Sequence, residues 1–237
     1  MDATARDRVA VVTGAGRGLG RGVAVALARR GHPVVGVARH PGQLAETADI
    51  IRSAGGQMVA RPADVSDPDA VAAMADFVRA QLGAPSILVN AAGVFGPIAL
   101  IRDSDPKAWL ETIAIDATAA YLTTRAFVGD MIDAGWGRIV NVTSGIENIR
   151  ELLPYSMSKA AVDRYVRDVT PSLEGTGVIM SLLDPGWLRT DLGGDKAPNA
   201  VETCRPGVLV PLLLDDGAPS GKFYRAQDYR TDGGAPS

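Results

Sequence analysis

Short apolar runs rich in Val, Ile and Leu alternate along this chain with longer stretches in which apolar residues return every three or four positions. The first pattern is that of strands buried on both faces of a parallel sheet, and the second that of helices turning one face to a core. Strands are predicted over Arg8 to Thr13, Pro33 to Ala38, Gln57 to Pro62, Ser86 to Ala91, Arg138 to Thr143, Val178 to Leu183 and Lys222 to Tyr224. Helices are predicted over Leu19 to Arg30, Gly42 to Ala54, Pro68 to Leu82, Pro106 to Ala134, Tyr155 to Leu173 and about Val201 to Leu214. Pro171 should bend or shorten the fifth of these, because proline lacks the N–H that a helix interior uses. Such a βα series, uninterrupted by a linker or repeat, makes an α/β fold with one doubly wound parallel sheet of about seven strands and helices on both faces. Ligands on such a sheet bind beyond the carboxyl ends of the strands.

Composition narrows the possibilities. The 237 residues suffice for one well-buried core and read as a single domain, 1–237, whose Gly- and Pro-rich tail Thr231 to Ser237 is expected to be mobile. A net charge of -3 offers no basic face for nucleic acid. Cys204 is alone, so no intrachain disulfide forms, and with only His32 and His40 besides there is no cluster of metal ligands. Met1 to Arg8 is charged and leads into Val9-Ala10-Val11-Val12, too short and wrongly flanked for a signal peptide. No apolar run approaches the ~20 residues needed to span a bilayer. A soluble, cytoplasmic protein with no membrane partner is the expectation.

Two features bear on chemistry. Tyr155 and Lys159, at i and i+4, share one helix face, so the ammonium can stabilise the ionised phenol and bring its pKa down toward use as an acid or base. Between the first strand and first helix lies Thr13-Gly14-Ala15-Gly16-Arg17-Gly18-Leu19-Gly20. Glycines there permit a tight turn and close backbone approach, and the bare N–H groups of a helix N-terminus favour a pyrophosphate. The spacing departs from G-x-G-x-x-G, which would need glycine at Leu19 or Arg21.

With Ser144 ahead of Tyr155-x3-Lys159, this glycine spacing resembles the short-chain dehydrogenase/reductase family over nearly the whole chain, in its carbonyl-reductase-like members, and implies a Rossmann-like fold. The resemblance implies that Thr13, Gly14, Gly18, Leu19 and Gly20 hold the cofactor pyrophosphate, that Asp64-Val65 contacts adenine, and that Asn90-Ala91-Ala92-Gly93 forms a cofactor wall. In that last segment the second residue is Ala91 where the family has Asn. Pro185, Gly186, Leu188 and Thr190 fall in the Pro-Gly segment after the sixth strand, whose Thr holds the nicotinamide amide. By the same resemblance Tyr155 is the acid or base, Lys159 lowers its pKa and steadies the cofactor ribose, and Ser144 hydrogen-bonds the reacting oxygen. Thr143, also a hydroxyl, competes for the serine's role. Ser144 stands slightly closer to Tyr155 than in the family, which implies a trimmed loop at the substrate mouth.

At the end of the second strand, Val37-Ala38-Arg39-His40 contains no acid to bind a ribose hydroxyl, whereas Arg39, with Arg17 in the glycine turn, is placed to face a 2′-phosphate. NADP(H) is the expected cofactor. The main departure is Asp116, where the family has an Asn that helps hold a water beside the lysine. An ionised Asp116 would attract Lys159 and offset the field that activates Tyr155. It fits a relay group in a working reductase, a slow enzyme, or other chemistry such as dehydration or isomerisation. A cofactor-binding protein without turnover is a further alternative, opposed by the intact Ser, Tyr and Lys.

The expected partner is a small carbonyl or alcohol substrate. Trp187 to Thr203 should set its preference, with Gly193 to Pro198 a flexible loop that leaves the pocket open, and Phe95, Trp187 and Met157 candidate apolar walls. The helices starting at Pro106 and Tyr155, with outer apolar positions such as Ile132 and Val166, suggest a homodimer or homotetramer.

Overall fold

The computed structural model describes residues 8–146 and 149–230, so the predicted mobile tail and most of the charged leader lie outside the described residues. The strands are β1 (Ala10–Thr13), β2 (Val34–Ala38), β3 (Met58–Pro62), β4 (Ile87–Asn90), β5 (Gly137–Val142), β6 (Val178–Asp184) and β7 (Phe223–Arg225). All pair in parallel in the order β3-β2-β1-β4-β5-β6-β7. The order reverses between β1 and β4, and a crevice opens beyond the carboxyl ends of strands at such a reversal. The helices are α1 (Gly18–Ala28), α2 (Pro41–Ser53), α3 (Pro68–Leu82), α4 (Pro106–Ile113), α5 (Ala119–Asp133), α6 (Leu153–Val169) and α7 (Arg205–Leu209).

Alternate strand residues feed two cores. Ala10, Val12, Ile87 and Val89 pack with α1, α2 and α7 on one face. Val11, Val35, Leu88 and Ile139 pack with α3, α5 and α6 on the other. Both faces are covered, which is why the central strands read as unbroken apolar runs.

Three expectations change. The helix predicted from Pro106 to Ala134 is broken by a π-helical turn, Ala114–Thr118, that buries Ile115 and Asp116. The final helix resolves into α7 between two 3-10 turns, Val201–Cys204 and Val210–Leu212, where Pro206 and Pro211 remove N–H donors. Val166 is not an outer position: it is fully buried against the sheet, and Leu110 and Tyr121 are the more exposed apolar side chains of α4 and α5. The effect of Pro171 is as expected, for α6 ends at Val169 and continues only as the 3-10 turn Thr170–Leu173. No helix among the described residues is long and apolar enough to cross a membrane.

At the amino ends of the strands, opposite the crevice, a fully buried arginine ties the sheet to the chain after α7. Arg138 donates to the carbonyls of Leu214 (2.7 Å) and Gly177 (3.2 Å) and to Asp216 Oδ1 (2.7 Å). Its guanidinium stacks on Trp136, whose indole N–H also reaches Asp216. Arg138→Ala would strand buried carbonyls and open a cavity, and should lower unfolding free energy by about 3 kcal/mol. Asp216 is largely exposed, so Asp216→Ala should be close to neutral. Urea unfolding of both variants checks this pair, and equal losses would contradict it.

Candidate active site

The crevice is a cleft of about 610 Å3 along the carboxyl ends of the strands. One end is the glycine turn. Gly20 packs so closely on the Gly14 carbonyl that a Cβ there would overlap it, and α1 starts at Gly18 with no side chain capping its N–H groups. The turn thus presents free donors and a positive dipole end to the cleft. Gly14, Arg17, Gly18, Leu19 and Gly20 all line it, followed by Arg39, Asp64 and Val65, then Ala91 and Gly93. Pro185, Gly186, Leu188 and Thr190 line the opposite wall, with Thr190 against Gly18.

Two predicted cofactor residues lie behind this wall instead. The Thr13 hydroxyl accepts the N–H groups of Ala91 (3.0 Å) and Ala92 (3.1 Å), tying the segment after β4 to β1. Asn90 is buried between β4, β5 and α5. It donates to Asn141 Oδ1 (2.9 Å), its partner across the strands, and accepts the Thr123 hydroxyl (2.7 Å). Every polar atom of the Asn90 amide is committed inside the protein, so both residues hold the wall in place rather than form its surface.

At the other end Ser144, Tyr155 and Lys159 converge. Ser144 follows β5, its hydroxyl accepts the Ile146 N–H at 3.2 Å, and it stands near enough to the Tyr155 phenol to pull its pKa down. Thr143, the rival hydroxyl, also borders the cleft, but it is buried and its hydroxyl proton goes to Asp163 on α6, which leaves the serine hydroxyl as the one free to donate into the cleft. Lys159, one turn beyond Tyr155, places its Nζ 5.4 Å from the phenol ring centroid and 3.3 Å from the Val142 carbonyl. Phe95 stacks on the other partner of this group, its ring 4.6 Å from that of Tyr155.

Asp116 is outside the cleft lining and almost fully buried. The π-helical turn aims it at Lys159, with Oδ2 3.6 Å from Nζ and 3.3 Å from the Ser158 hydroxyl, while Oδ1 accepts the Val94 N–H at 2.7 Å. Its oxygens are therefore taken up by the protein.

A family model described as short chain dehydrogenase matches residues 8–200. The chain belongs to the short-chain dehydrogenase/reductase family. It is 33% identical over 199 residues to a short chain dehydrogenase of Pseudocercospora fijiensis, covering 82% of this chain but only 64% of that protein's length. It is 31% identical over 256 residues to an NADPH-dependent aldehyde reductase-like protein, chloroplastic, of Arabidopsis thaliana, covering 96% and 93% of the two chains. Among solved structures, a metagenomic short-chain oxidoreductase in complex with NADP has 36% identity and a TM-score of 0.73, with 76% and 82% of the chains covered.

The electrostatics of this short-chain dehydrogenase differ from the sequence expectation in one respect. Burial pushes the Tyr155 phenol above its ordinary value. Lys159 and the Ser144 hydroxyl pull it down, and the carboxylates of Asp116 and Asp184 push it up again. The lysine does act in the expected sense, but burial outweighs it. Burial also raises the Asp116 carboxyl, against the opposing pull of Lys159 and the Val94 N–H.

Each arginine expected to meet a 2′-phosphate reaches the cleft and faces an acid there. Arg17 is 2.5 Å from Asp191 in the loop after β6, and Arg39 is 3.9 Å from Glu111 on α4. All four side chains are substantially exposed, so an entering phosphate could displace the acids at small cost. Of the predicted apolar walls, Phe95 and Trp187 line the cleft, and Met157 is turned out to solvent beside it. The Gly193 to Pro198 loop is pinned rather than loose, because Arg189 donates to the carbonyls of Ala197 and Pro198 and the Trp187 indole to that of Gly193. Lining residues that sequence reasoning did not single out include Gln43, Ile115 and Ile146, apolar or neutral side chains with no signature of their own.

Gly20→Ala should abolish binding of a nicotinamide dinucleotide while leaving the far end of the cleft intact, as read by fluorescence titration. Retained affinity would remove the glycine turn from the site. Asp116→Asn keeps an oxygen for the Val94 N–H and removes the charge that raises the phenol. The ionisation midpoint of Tyr155, read from the tyrosinate absorbance that Tyr155→Phe removes, should therefore fall in this variant, and an unchanged or higher midpoint would show that Asp116 does not act on Tyr155.

Proposed function

We propose that this protein is an NADP(H)-dependent oxidoreductase that transfers hydride between the nicotinamide and a carbonyl or secondary alcohol, with Tyr155 as acid and base. The observation that carries this reading is the meeting of Ser144, Tyr155 and Lys159 at one end of a cleft whose other end is an uncapped, glycine-lined helix N-terminus. In this reading Gly14, Gly18, Leu19 and Gly20 hold the pyrophosphate, Asp64 and Val65 the adenine side, and Arg17 and Arg39 the 2′-phosphate. Ala91 and Gly93 form one wall of the cofactor site, and Pro185, Gly186, Leu188 and Thr190 the nicotinamide side. Lys159 steadies the ribose. When bound, the nicotinamide supplies or accepts the hydride.

In carbonyl reduction the Ser144 hydroxyl donates to the substrate oxygen, and the Tyr155 phenol hands that oxygen its proton as the hydride arrives. A phenol raised by burial is protonated at neutral pH, which suits this acid role. A dehydratase or isomerase working through Asp116 is disfavoured, since its carboxylate is engaged behind Lys159 and does not line the cleft. The NADP complex of the metagenomic relative and the NADPH in the name of the plant relative support the choice of cofactor. Self-association as a dimer or tetramer belongs to the same proposal, supported by the exposed Leu110 and Tyr121 on neighbouring helices.

Absorbance at the reduced-nicotinamide band, with NADPH or NADH and a panel of aldehydes, ketones and quinones, tests the reading. Carbonyl-dependent NADPH loss should vanish in Tyr155→Phe. Arg39→Ala should raise the KM for NADPH by roughly tenfold and leave that for NADH nearly unchanged, as expected for loss of one charge-assisted phosphate contact. Equal effects on both cofactors would sink the 2′-phosphate assignment.

A further inference from the structure

Phe95 is held in place more firmly than a loop side chain needs to be. On its amino side the Val94 N–H is bound by the buried Asp116 carboxylate at 2.7 Å. On its carboxyl side Gly96 adopts φ 68° and packs so tightly on Thr112 of α4 that no side chain could replace its hydrogen. Between these two anchors the Phe95 ring lies on the Tyr155 ring at 4.6 Å and an interplanar angle of 27°. Offset-stacked aromatic pairs of this kind contribute beyond their buried area, and they fix orientation. Asp116 thus holds the segment bearing Phe95 with one oxygen and Lys159 with the other.

The surroundings bear on what can bind next to this pair. Beyond Phe95 the cleft continues along Val94, Ile146, Trp187 and Leu192. The cation at the reacting end, Lys159, is held by the buried Asp116, whereas Arg17 and Arg39, in exposed pairs with Asp191 and Glu111, belong to the glycine-turn end that the reading above gives to the cofactor phosphate. Asp184, at the same end, is held by the Gly186 N–H. A carboxylate or phosphate on the reacting end of a substrate would find no partner there, whereas an apolar ring would find aromatic and aliphatic surface.

We propose that Phe95 is a positioning and specificity-determining residue: it fixes the Tyr155 ring and favours neutral carbonyl compounds that carry an apolar ring at the reacting carbon. The substrate half of this inference rests on the oxidoreductase reading above, and the positioning half does not. The groups that act on the phenol are Lys159 from α6, Asp116 from the π-helical turn, Ser144 after β5 and Asp184 at the end of β6. A Phe95 variant leaves all four in the sequence, frees the ring to move and lets more water reach it. Burial is the largest influence on this phenol, so its loss lowers the ionisation midpoint.

The test compares Phe95→Leu and Phe95→Ala with the native protein, each with and without Tyr155→Phe. The tyrosinate absorbance difference between members of each pair isolates Tyr155 and needs no turnover. Its midpoint should fall in Phe95→Ala and less so in Phe95→Leu, which keeps the bulk and guards against a folding defect, with thermal melting as a control. With NADPH, kcat/KM in Phe95→Ala should fall for both ketones, and about tenfold further for cyclohexanone than for propanone, while NADPH affinity is kept. An unmoved midpoint in both variants would overturn the positioning role. Parallel losses for the two ketones would overturn the specificity role. Absence of any carbonyl turnover in the native protein would refute the oxidoreductase reading and the ketone preference together, and the absorbance titration would still decide whether Phe95 governs Tyr155.

Discussion

A buried carboxylate beside a buried ammonium organises the reactive end of this protein. Asp116 and Lys159 are each nearly inaccessible to solvent, and their charged atoms stand 3.6 Å apart. A charge taken out of water is tolerated only when other groups replace its hydration, and here Val94, Ser158 and Val142 do so. The arrangement couples three segments distant in sequence: the strand-end segment after β4, the π-helical turn and α6. Removing one partner would leave the other charged and stranded, so the pair is kept together by the cost of its own separation. Tyr155 feels both members, one pulling its pKa down and the other pushing it up. The site is therefore tuned by a compromise, in which the acid that holds the lysine in place also blunts its effect.

The same economy recurs along the cleft. Thr13 and Asn90 stand where a cofactor would be near, yet each spends its hydrogen bonds on the scaffold, one joining β1 to the segment after β4 and the other joining β4 to β5 and α5. A cleft at the switch point of a parallel sheet has its walls built from loops, and loops keep their shape only if their backbone groups are bound. These side chains provide that binding at the place where the two halves of the sheet diverge. The mouth behaves differently. Arg17 with Asp191 and Arg39 with Glu111 are exposed pairs between one wall and the other, weak enough in water to be exchanged for a ligand phosphate. Rigid walls and exchangeable rim charges together suit a site that must take up and release a large anion.

Much of the architecture could be read from the chain alone, because the periods of strand and helix are set by backbone geometry and show in any sequence whose elements are buried on defined faces. All seven strands lie within about a residue or two of their predicted bounds. The Tyr155 and Lys159 spacing and the glycine turn were legible for the same reason: each is a local pattern whose meaning comes from one helix face or one helix end. Where the chain misled, the cause was nonlocal. Pro106 to Ala134 has the periodicity of one helix, but packing against α6 and the need to turn Asp116 inward introduce a π-helical turn. Val166 looked like an outer position, and only the sheet beneath α6 assigns it to the core.

Within the site the division is the same. Sequence by itself determined the family resemblance, the candidate Ser, Tyr and Lys, and the presence of an acid at Asp116, since these are matters of residue type and spacing along one chain. Tertiary structure alone decided that Ser144 rather than Thr143 faces the phenol, that Asp116 lies behind Lys159, that Phe95 stacks on Tyr155, and that burial overrides the lysine. Those outcomes depend on which distant segments meet and how much water is left between them. No pattern along the chain encodes the dielectric around a group, because that quantity exists only once the walls have closed around it.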